Sequence, residues 1–398
     1  MPDNRDTEYF ASLALRNTPG LGPKTQRKLL AHYGRAYPAL RDAANWPRLK
    51  LANRRQAEAS KAESWRLAAE DEYHRARRRN MAWLLYSDDD YPQRLKHLDD
   101  PPLILYHQGN LDLLRSPGVA VVGARRCNGR GDAIARDISA DLSRIGLTII
   151  SGLAMGVDRQ AHLGGLAHIG GSVAVLGCGL DVTYPKANAD VWEALAEQGL
   201  IISEYGPGVR PESKHFPYRN RLISGLAMGV LVAQAAKRSG SLITARLALE
   251  QGKDVFALPG SAADPDFEGC NELIKAGATL VRNAEDIVWE LKDRLCETLG
   301  YYPDPALVSQ KNKKNHEGPD QAPNPAAAPP APLPELDGPQ KTAMEALLSA
   351  ARLHIDELVR RLEWDSAQVS AVLLDLEMQG LVRQSPGMYY EPIKGGRR

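Results

Sequence analysis

The segment SKHFPYRNR, residues 213–221, places basic and aromatic side chains close together. Five of its residues could act on one ligand: Lys214, Phe216, Arg219, Asn220 and Arg221. Single-stranded nucleic acid needs cations for its phosphates and aromatic faces for its bases, and each stacked base contributes about 1–3 kcal/mol. The pattern therefore predicts contacts to such a strand. The alternative is a surface loop in which Phe216 packs inward and the arginines pair with acidic neighbours such as Glu204.

A second basic stretch, AAKRSGSLITA, follows an apolar run. Lys237 and Arg238 precede Ser239, Gly240 and Ser241, where we expect a helix to begin. The free N–H groups and the dipole at a helix N-terminus attract anions. This turn is therefore a second predicted anion contact.

Glycine is concentrated between Gly118 and Leu180, where it makes up 13 of 63 residues, against a usual share of about 7%. Glycine lets backbone N–H groups approach an anion closely. The loop after VAVVG contains Gly123, Arg125 and Arg126, and the loop after LTIIS contains Gly152. We expect these residues to contact a phosphate-bearing ligand.

Several kinds of enzyme site do not fit the sequence. Arg125 stands where a dinucleotide fingerprint has its second glycine, and the loop does not match GxxxxGK[ST]. Asp158 and His162 are most simply a helix cap and its neighbour, so we do not expect a hydrolytic triad with Ser151. The four dispersed cysteines form no CxxC pair, which indicates reduced thiols and no metal centre. No catalytic residue and no cofactor are expected.

The elements that must position these loops follow an alternating pattern. The apolar runs VAVVG, LTIIS, SVAVLG, LIIS, MGVLVAQA and DVFALPG are separated by amphipathic stretches. Strands alternating with helices predict an α/β fold, a Rossmann-like, doubly wound and mostly parallel sheet. Ligands of such sheets bind outside the carboxyl ends of the strands, so the loops above should converge.

Composition divides the chain into four parts. We expect a small all-α domain over residues 1–85, the Rossmann-like domain over 86–298, a Pro/Ala-rich linker over 299–339 and a winged helix over 340–393. Residues 301–339 hold ten prolines, a composition typical of an extended linker.

The first 80 residues are basic, with 17 Lys and Arg against 9 Asp and Glu, whereas the whole chain has a net charge of +1. Either a polyanion partner or solvated helix faces would explain the excess. Gly20, Leu21 and Gly22 precede an amphipathic stretch and resemble a helix-hairpin-helix turn of a SAM-like domain, whose amides can receive a phosphate. The alternative is a tight turn between helices.

The C-terminal part is predicted to contain three helices followed by a two-stranded wing, with Asp365 and Gln368 starting the third helix. Winged helices usually place this helix in the major groove of a duplex. Here residues 366–379 contain no Lys or Arg. Because phosphate affinity depends on cations, we expect a role in protein interaction or regulation instead.

The octapeptide ISGLAMGV occurs twice, at residues 150–157 and 223–230. The flanking residues differ, so a duplicated module is not supported. We expect the first copy to run from strand into loop and the second from helix into strand. Bulky replacement of Gly152 should then impair ligand binding directly, and that of Gly225 should impair folding first.

The chain has no apolar run near the ~20 residues of a membrane span, and its start, MPDNRDTEYF, is unlike a signal peptide. We expect a cytoplasmic protein without a membrane span.

The central region resembles the DNA-processing protein A (DprA, also Smf) family. The matching words, in order over residues 90–290, are VVGARRCNGRG, SGLAMGVDRQAH, LGCGLDVTYPKAN, SEYGPG, FPYRNRLISGLA, RSGSLITA, FALPGS and GCNELIKAGA. The resemblance implies a protein that is not an enzyme. It implies that the protein binds and protects single-stranded DNA, loads the RecA recombinase during natural transformation, and forms a homodimer through the Rossmann-like domain. It also implies phosphate contact for Arg125, base stacking for Phe216, and phosphate or structural roles for Arg219, Asn220 and Arg221.

The chain departs from the family words at a few positions. Ala124 stands where serine is usual, Asn128 and Arg130 where threonine and tyrosine are usual, and Gln234 where glutamate is common. The alternative function is that of an enzyme similar to the LOG-like nucleotide phosphoribohydrolases. Their PGGxGTxxE word is represented here only by RSGSLITARLALE and PGSAA.

Overall fold

The computed structural model describes residues 5–126, 129–299, 338–350, 353–362, 364–379, 381–385 and 389–392. The chain divides into two compact units, Met1–Gly318 and Pro319–Arg398. The predicted linker lies outside the described residues except at positions 299, 338 and 339. Within the described ranges, no helix combines the length and the apolar character needed to cross a membrane.

The first unit begins with five helices: α1 (Arg5–Asn17), α2 (Pro23–Tyr33), α3 (Ala36–Arg41), α4 (Arg54–Lys61) and α5 (Arg66–Arg78). Pro23 occupies the first turn of α2, where a residue without an N–H group is well tolerated. Asn53 and Gln56 form a capping box at the start of α4. The Gly20 to Gly22 turn therefore joins α1 and α2, an arrangement that both the helix-hairpin-helix interpretation and the alternative of a tight turn between helices require.

One sheet of nine strands follows, in the order β1-β2-β6-β5-β4-β3-β7-β8-β9. The strands β3 to β9 pair in parallel with their neighbours, whereas β2 is antiparallel to both β1 and β6. This arrangement confirms the Rossmann-like, mostly parallel fold class. The strands are β1 (Ala82–Leu85), β2 (Ile104–Gly109), β3 (Gly118–Gly123), β4 (Thr148–Ser151), β5 (Ser172–Val175), β6 (Leu200–Ser203), β7 (Gly229–Gln234), β8 (Asp254–Ala257) and β9 (Thr279–Leu280).

Helices connect these strands and cover both faces of the sheet. They are α6 (Gln93–Lys96), α7 (Gly129–Arg144), α8 (Val157–Leu166), α9 (Ala189–Gln198), α10 (His215–Leu226), α11 (Ser241–Glu250), α12 (Glu268–Lys275), α13 (Ala284–Glu290) and α14 (Lys292–Leu299). Strand β3 shows why its sequence is a continuous apolar run. Val119 and Val121 pack in one core with residues of α7 and α8, and Ala120 and Val122 pack in another with residues of α10 and α11.

The N-terminal helices share a core with the sheet. Tyr9 and Trp46 belong to the same buried cluster as Tyr106 of β2 and Ile201 of β6. Strand β1 starts at Ala82, so the sheet begins four residues before position 86, where the sequence suggested a domain start. Sequence composition could not show this shared core, because the contacts join residues far apart in the chain.

The second unit contains α15 (Gly338–Ala350), α16 (Ile355–Leu362) and α17 (Ser366–Met378). A small antiparallel sheet has the order β10 (Leu353–His354), β12 (Tyr389–Pro392), β11 (Val382–Ser385). This sheet has three strands, one more than the two-stranded wing expected from the sequence. The Asp365 carboxylate accepts a hydrogen bond from the Gln368 N–H at 2.7 Å, which confirms the predicted start of α17.

Candidate nucleic-acid interface

The loops after β3, β4, β5 and β7 meet where the strand order reverses. β3 lies between β4 and β7, and the chain proceeds outward from β4 to β6 before it crosses to β7. At such a switch point the helices that follow the strands diverge and leave a crevice at the carboxyl edge. A cleft of about 350 Å³ lies there. Its position is the one expected for the ligand site of a doubly wound sheet.

Eight of the fourteen predicted contact residues line this cleft: Gly123, Arg125, Phe216, Arg219, Asn220, Ser239, Gly240 and Ser241. Gly152 lines a smaller adjoining pocket of about 80 Å³, which shares Arg125, Phe216 and Arg219 with the cleft. The other five, Arg126, Lys214, Arg221, Lys237 and Arg238, line neither space. Loop convergence thus brings together residues from four separate segments of the chain.

Arg125 and Phe216 lie close together in the cleft. The exposed Arg125 follows β3, and its guanidinium carbon lies 5.7 Å from the centre of the Phe216 ring. The Tyr184 ring lies 5.6 Å from that of Phe216, and Tyr184 is 41% exposed. A cation beside two aromatic rings suits a phosphate next to a stacked base. Tyr184 was not among the predicted contacts, although its position after β5 was a signal for it.

The segment HFPYRNR forms the first two turns of α10. It is therefore helical, whereas the alternative drawn from the sequence was a surface loop. Helical spacing separates its side chains into two sets. Phe216, Arg219 and Asn220 line the cleft, whereas Tyr218 and Arg221 line a different cavity. Residues that are neighbours in the sequence therefore lie on different sides of one helix.

Arg219 lies at the base of the cleft and is only 4% exposed. Its Nη1 donates to the carbonyl of Gly152 at 2.8 Å and to the carbonyl of Val175. Burial lowers the pKa of Arg219 to about 10, so the side chain stays charged at neutral pH. Its bonds to backbone carbonyls indicate that Arg219 joins the β4 and β5 loops and shapes the cleft.

Asp158 lies near Arg219. The sequence suggested that Asp158 caps α8, but it does not. The N-cap of α8 is Gly156, and the Asp158 carboxylate accepts hydrogen bonds from the N–H groups of Gly152 at 3.1 Å and Ala154 at 3.3 Å. Burial raises the pKa of Asp158. The carboxylate therefore fixes the turn after β4.

Arg221 is directed away from the cleft and pairs with two carboxylates. Its Nη2 lies 2.6 Å from Glu204 Oε2, and its Nε lies 3.0 Å from Asp100 Oδ2. Although burial opposes its charge, the nearby Glu204 raises the pKa of Arg221 above its usual value. For this residue the contacts match the alternative considered from the sequence, an arginine paired with Glu204.

The turn before α11 presents the helix start to the cleft. Ser239 Oγ and Ser241 Oγ lie 2.7 Å apart, and α11 begins at Ser241. Ser239, Gly240 and Ser241 all line the cleft, so an anion there would meet the positive end of the helix dipole. The turn therefore offers a second anion contact opposite Arg125.

The basic residues around the cleft differ in their pairing. Lys214 lies 2.8 Å from Glu212, and Lys237 lies 2.9 Å from Glu268. Within the part of the chain that the structure describes, Arg125 has no carboxylate partner. Its charge is therefore more available to an added phosphate than that of either lysine.

The geometry does not support the hydrolytic triad. His162 is fully buried, and its Nδ1 lies 2.8 Å from the hydroxyl of Ser172, which itself donates to the Ile149 carbonyl. The sequence did not suggest Ser172 as a neighbour of His162. Because Ser172 is also fully buried, no substrate can reach this pair.

Fold and site together define a Rossmann-like binding protein. Its switch-point cleft combines aromatic rings, a helix N-terminus and Arg125, which has no carboxylate partner among the described residues. The chain belongs to the family of DNA recombination-mediator protein A, whose model matches residues 82–292. A second model, the DprA winged helix domain, matches residues 327–388. The family is that of a recombination mediator and not of an enzyme, as the sequence predicted, which disfavours the LOG-like alternative.

Individual relatives agree with this assignment. The chain is 48% identical over 205 residues to the DNA processing protein DprA of Streptococcus pneumoniae, covering 52% of this chain and 72% of that protein. It is 38% identical over 330 residues to the protein Smf of Synechocystis, covering 79% and 80%. The X-ray structure of DprA from Streptococcus pneumoniae superimposes with a TM-score of 0.62 at 37% identity, covering 71% of this chain and 97% of that one.

Proposed function

We propose that this protein is a mediator that binds single-stranded DNA in the switch-point cleft, protects it, and loads RecA onto it during natural transformation. Two things support the proposal: membership in a family of DNA recombination mediators and a cleft that matches the chemistry of a strand. The role of RecA and the link to transformation rest on the family resemblance.

One observation carries the DNA-binding part of the proposal, namely the exposed Arg125 beside the rings of Phe216 and Tyr184. A single strand exposes both its phosphates and its base faces, whereas in a duplex the bases are stacked on one another. The rings would take bases, and Arg125 and the start of α11 would take phosphates. Asn220 and Ser239 line the same space and would add hydrogen bonds.

We further propose that two copies assemble through the Rossmann-like part and that the protein acts in the cytoplasm. The dimer comes from the family resemblance, and the location comes from the expectation drawn from the sequence. Sedimentation velocity over a range of concentrations tests the first, with a concentration-independent monomer as the contrary result.

Anisotropy of a fluorescein-labelled oligothymidylate tests the site. We expect Arg125→Ala and Phe216→Ala each to weaken binding, the second by about tenfold, as for the loss of one stacked base, and the double variant to weaken it further. Arg115→Ala is the matched control, since Arg115 is an exposed arginine just before β3, at the opposite edge of the sheet. If the double variant binds like the wild type, the DNA does not lie in this cleft.

Stimulation of RecA tests the second half of the proposal. Filament formation on single-stranded DNA, followed through ATP hydrolysis, should start sooner when the wild-type protein is present. The double variant should lose this effect in proportion to its loss of DNA binding. If the lag before ATP hydrolysis is unchanged by the wild-type protein, the proposed loading of RecA is contradicted, whereas the proposed DNA binding is not affected.

A further inference from the structure

A second cavity, of about 380 Å³, lies on the other side of helix α10 from the cleft. We call it the rear pocket; its polar lining includes Arg16, Gln26, Glu72, Glu204, Tyr218 and Arg221. The pocket is bounded by the N-terminal helices on one side and by the loop after β6 on the other. None of the predicted contacts except Arg221 belongs to it.

Carboxylates already neutralise the arginines of the rear pocket. Arg16 pairs with Glu72, and Arg221 pairs with both Glu204 and Asp100. A phosphate placed here would meet acidic side chains beside each cation that it approached. The pocket therefore favours an uncharged group, in contrast to the cleft with its unpaired Arg125.

Two buried polar atoms of the pocket have no hydrogen-bond partner among the described residues. They are Nη1 of Arg221, a residue 95% shielded from solvent, and Oε1 of Glu204. Their neighbouring atoms, Nη2 and Oε2, are bonded to each other at 2.6 Å. Buried polar groups are almost always paired with protein, water or ligand. The Arg221–Glu204 ion pair therefore leaves one hydrogen-bond donor and one acceptor without a partner among the described residues.

The walls of the rear pocket are largely apolar. The Tyr218 ring centre lies 4.1 Å from the guanidinium carbon of Arg221, and Tyr218 is 39% exposed. Pro23, Pro101 and Pro102 line the pocket as well. A fitting ligand is uncharged, is planar where it meets the Tyr218 ring, and carries both a hydrogen-bond donor and an acceptor. These are the properties of a nucleobase.

We infer that the rear pocket binds a nucleobase through Glu204, Arg221 and Tyr218. Helix α10 presents Phe216 and Arg219 to the cleft and Tyr218 and Arg221 to the rear pocket. A DNA strand that crosses α10 would place one base in the cleft and one in the rear pocket. That the base comes from a DNA strand rests on the proposed function. A free nucleoside offers the same edge and is the other source.

Position 209 allows the pocket to be closed without touching the ion pairs. Val209 lines the pocket, and its hydrogen bonds to Gly206 and Gly179 use backbone atoms only. Val209→Trp fills the space, whereas Val209→Ala leaves it open and serves as the matched control. Thermal unfolding by circular dichroism verifies that both variants fold. Glu204→Gln is a second probe, because its amide can offer a donor where Glu204 Oε1 offers an acceptor.

Two probes separate the sources: 2-aminopurine deoxyriboside, and oligothymidylates of increasing length that carry one 2-aminopurine. We expect Val209→Trp to abolish nucleoside binding and to weaken long strands about tenfold, with no effect on strands too short to cross α10. Val209→Ala should match the wild type, and Glu204→Gln should lose nucleoside binding. Loss of nucleoside binding with unchanged strand affinity identifies the free nucleoside as the occupant.

The inference is overturned if Val209→Trp binds both probes as well as Val209→Ala does. In that case the strand affinity of Arg125→Ala still tests DNA binding in the cleft, so the proposed function is tested independently of the rear pocket. Conversely, if the wild-type protein binds the nucleoside and no strand, the rear pocket is retained and the proposed function fails.

Discussion

The guanidinium group of Arg219 occupies the space that any side chain at position 152 would need. A Cβ on Gly152 would lie 2.6 Å from Nη2 and 2.7 Å from Nη1 of Arg219. Arg219 cannot move away freely, because it is buried and donates to the Gly152 carbonyl. Gly152 therefore supports the cleft through Arg219, in addition to lining the adjoining pocket, and its direct contact with a ligand stays a prediction.

The two copies of ISGLAMGV should respond differently to a methyl group, and for stability the contacts predict the reverse of the order expected from the sequence. Gly152→Ala should lower the free energy of unfolding by about 1–3 kcal/mol through overpacking, and should weaken DNA binding by displacing Arg219. Gly225→Ala should lower the free energy of unfolding by less than about 1 kcal/mol. Its Cβ would approach the Leu95 and Leu98 side chains at 3.1 Å, but these contacts are to the ends of side chains, and alanine favours the helix. Urea unfolding followed by tryptophan fluorescence measures both. Equal losses at the two positions would contradict this ranking.

Arg125 should contribute more to DNA binding than the two paired lysines do. Arg125→Ala should reduce the slope of log K against log salt by about 0.7 for each phosphate that the arginine neutralises. Lys214→Ala and Lys237→Ala should change the slope less, because Glu212 and Glu268 already neutralise these charges. Anisotropy titrations at several salt concentrations give the slopes. A larger effect at either lysine would shift the DNA path toward that residue.

Arg221→Ala should affect folding before it affects the cleft. The change leaves Glu204 and Asp100 without their partner, and breaking a buried ion pair in this way costs about 3–5 kcal/mol. Arg125→Ala, at an exposed position, should leave the melting temperature nearly unchanged. Thermal unfolding of the two variants in parallel separates these roles. A stable Arg221→Ala protein with normal melting would show that the ion pair is not structural.

Acid should destabilise the protein partly through His162. Burial lowers the pKa of His162 from 6.5 to about 3. Between these two pH values the imidazole is protonated in the unfolded chain and neutral in the folded chain. The stability it contributes is complete above pH 6.5 and is lost as the pH falls toward 3, with about 1.4 kcal/mol gone at pH 5.5. His162→Gln should therefore show a shallower fall in stability from about pH 7 to 5.5. Identical slopes for both proteins would rule out this contribution.

The winged-helix unit should not bind duplex DNA strongly by itself. Its core is complete within the unit and includes Leu347, Leu358 and Leu373, so residues 338–398 should fold when expressed alone. Helix α17 has no basic residue and carries Asp375 and Glu377, which favours a protein partner. Gel shifts at moderate salt, with single strand and duplex in parallel lanes, should show no sub-micromolar complex with duplex. Such a complex would reverse the interpretation.

The alternation of apolar runs and amphipathic stretches predicted the sheet, because backbone periodicity and burial on both faces leave a local signature in each segment. The same logic predicted that the loops carrying Gly123, Gly152 and Ser239 would meet, since the carboxyl ends of parallel strands share one edge. The strand order itself and the antiparallel β1 and β2 were not predicted, because pairing depends on contacts between distant segments.

By itself, the sequence determined most of the element types, the edge of the sheet at which the loops meet, and the placement of Arg125 and Phe216 at that edge. Only the tertiary structure decided how the arginines of HFPYRNR divide between the cleft and the interior. Arg221 meets Asp100 across 121 positions of the chain, and Arg219 meets Gly152 across 67. Local sequence contains the charge of each arginine, but burial and long-range partners decide whether that charge is neutralised inside the protein or left for a ligand.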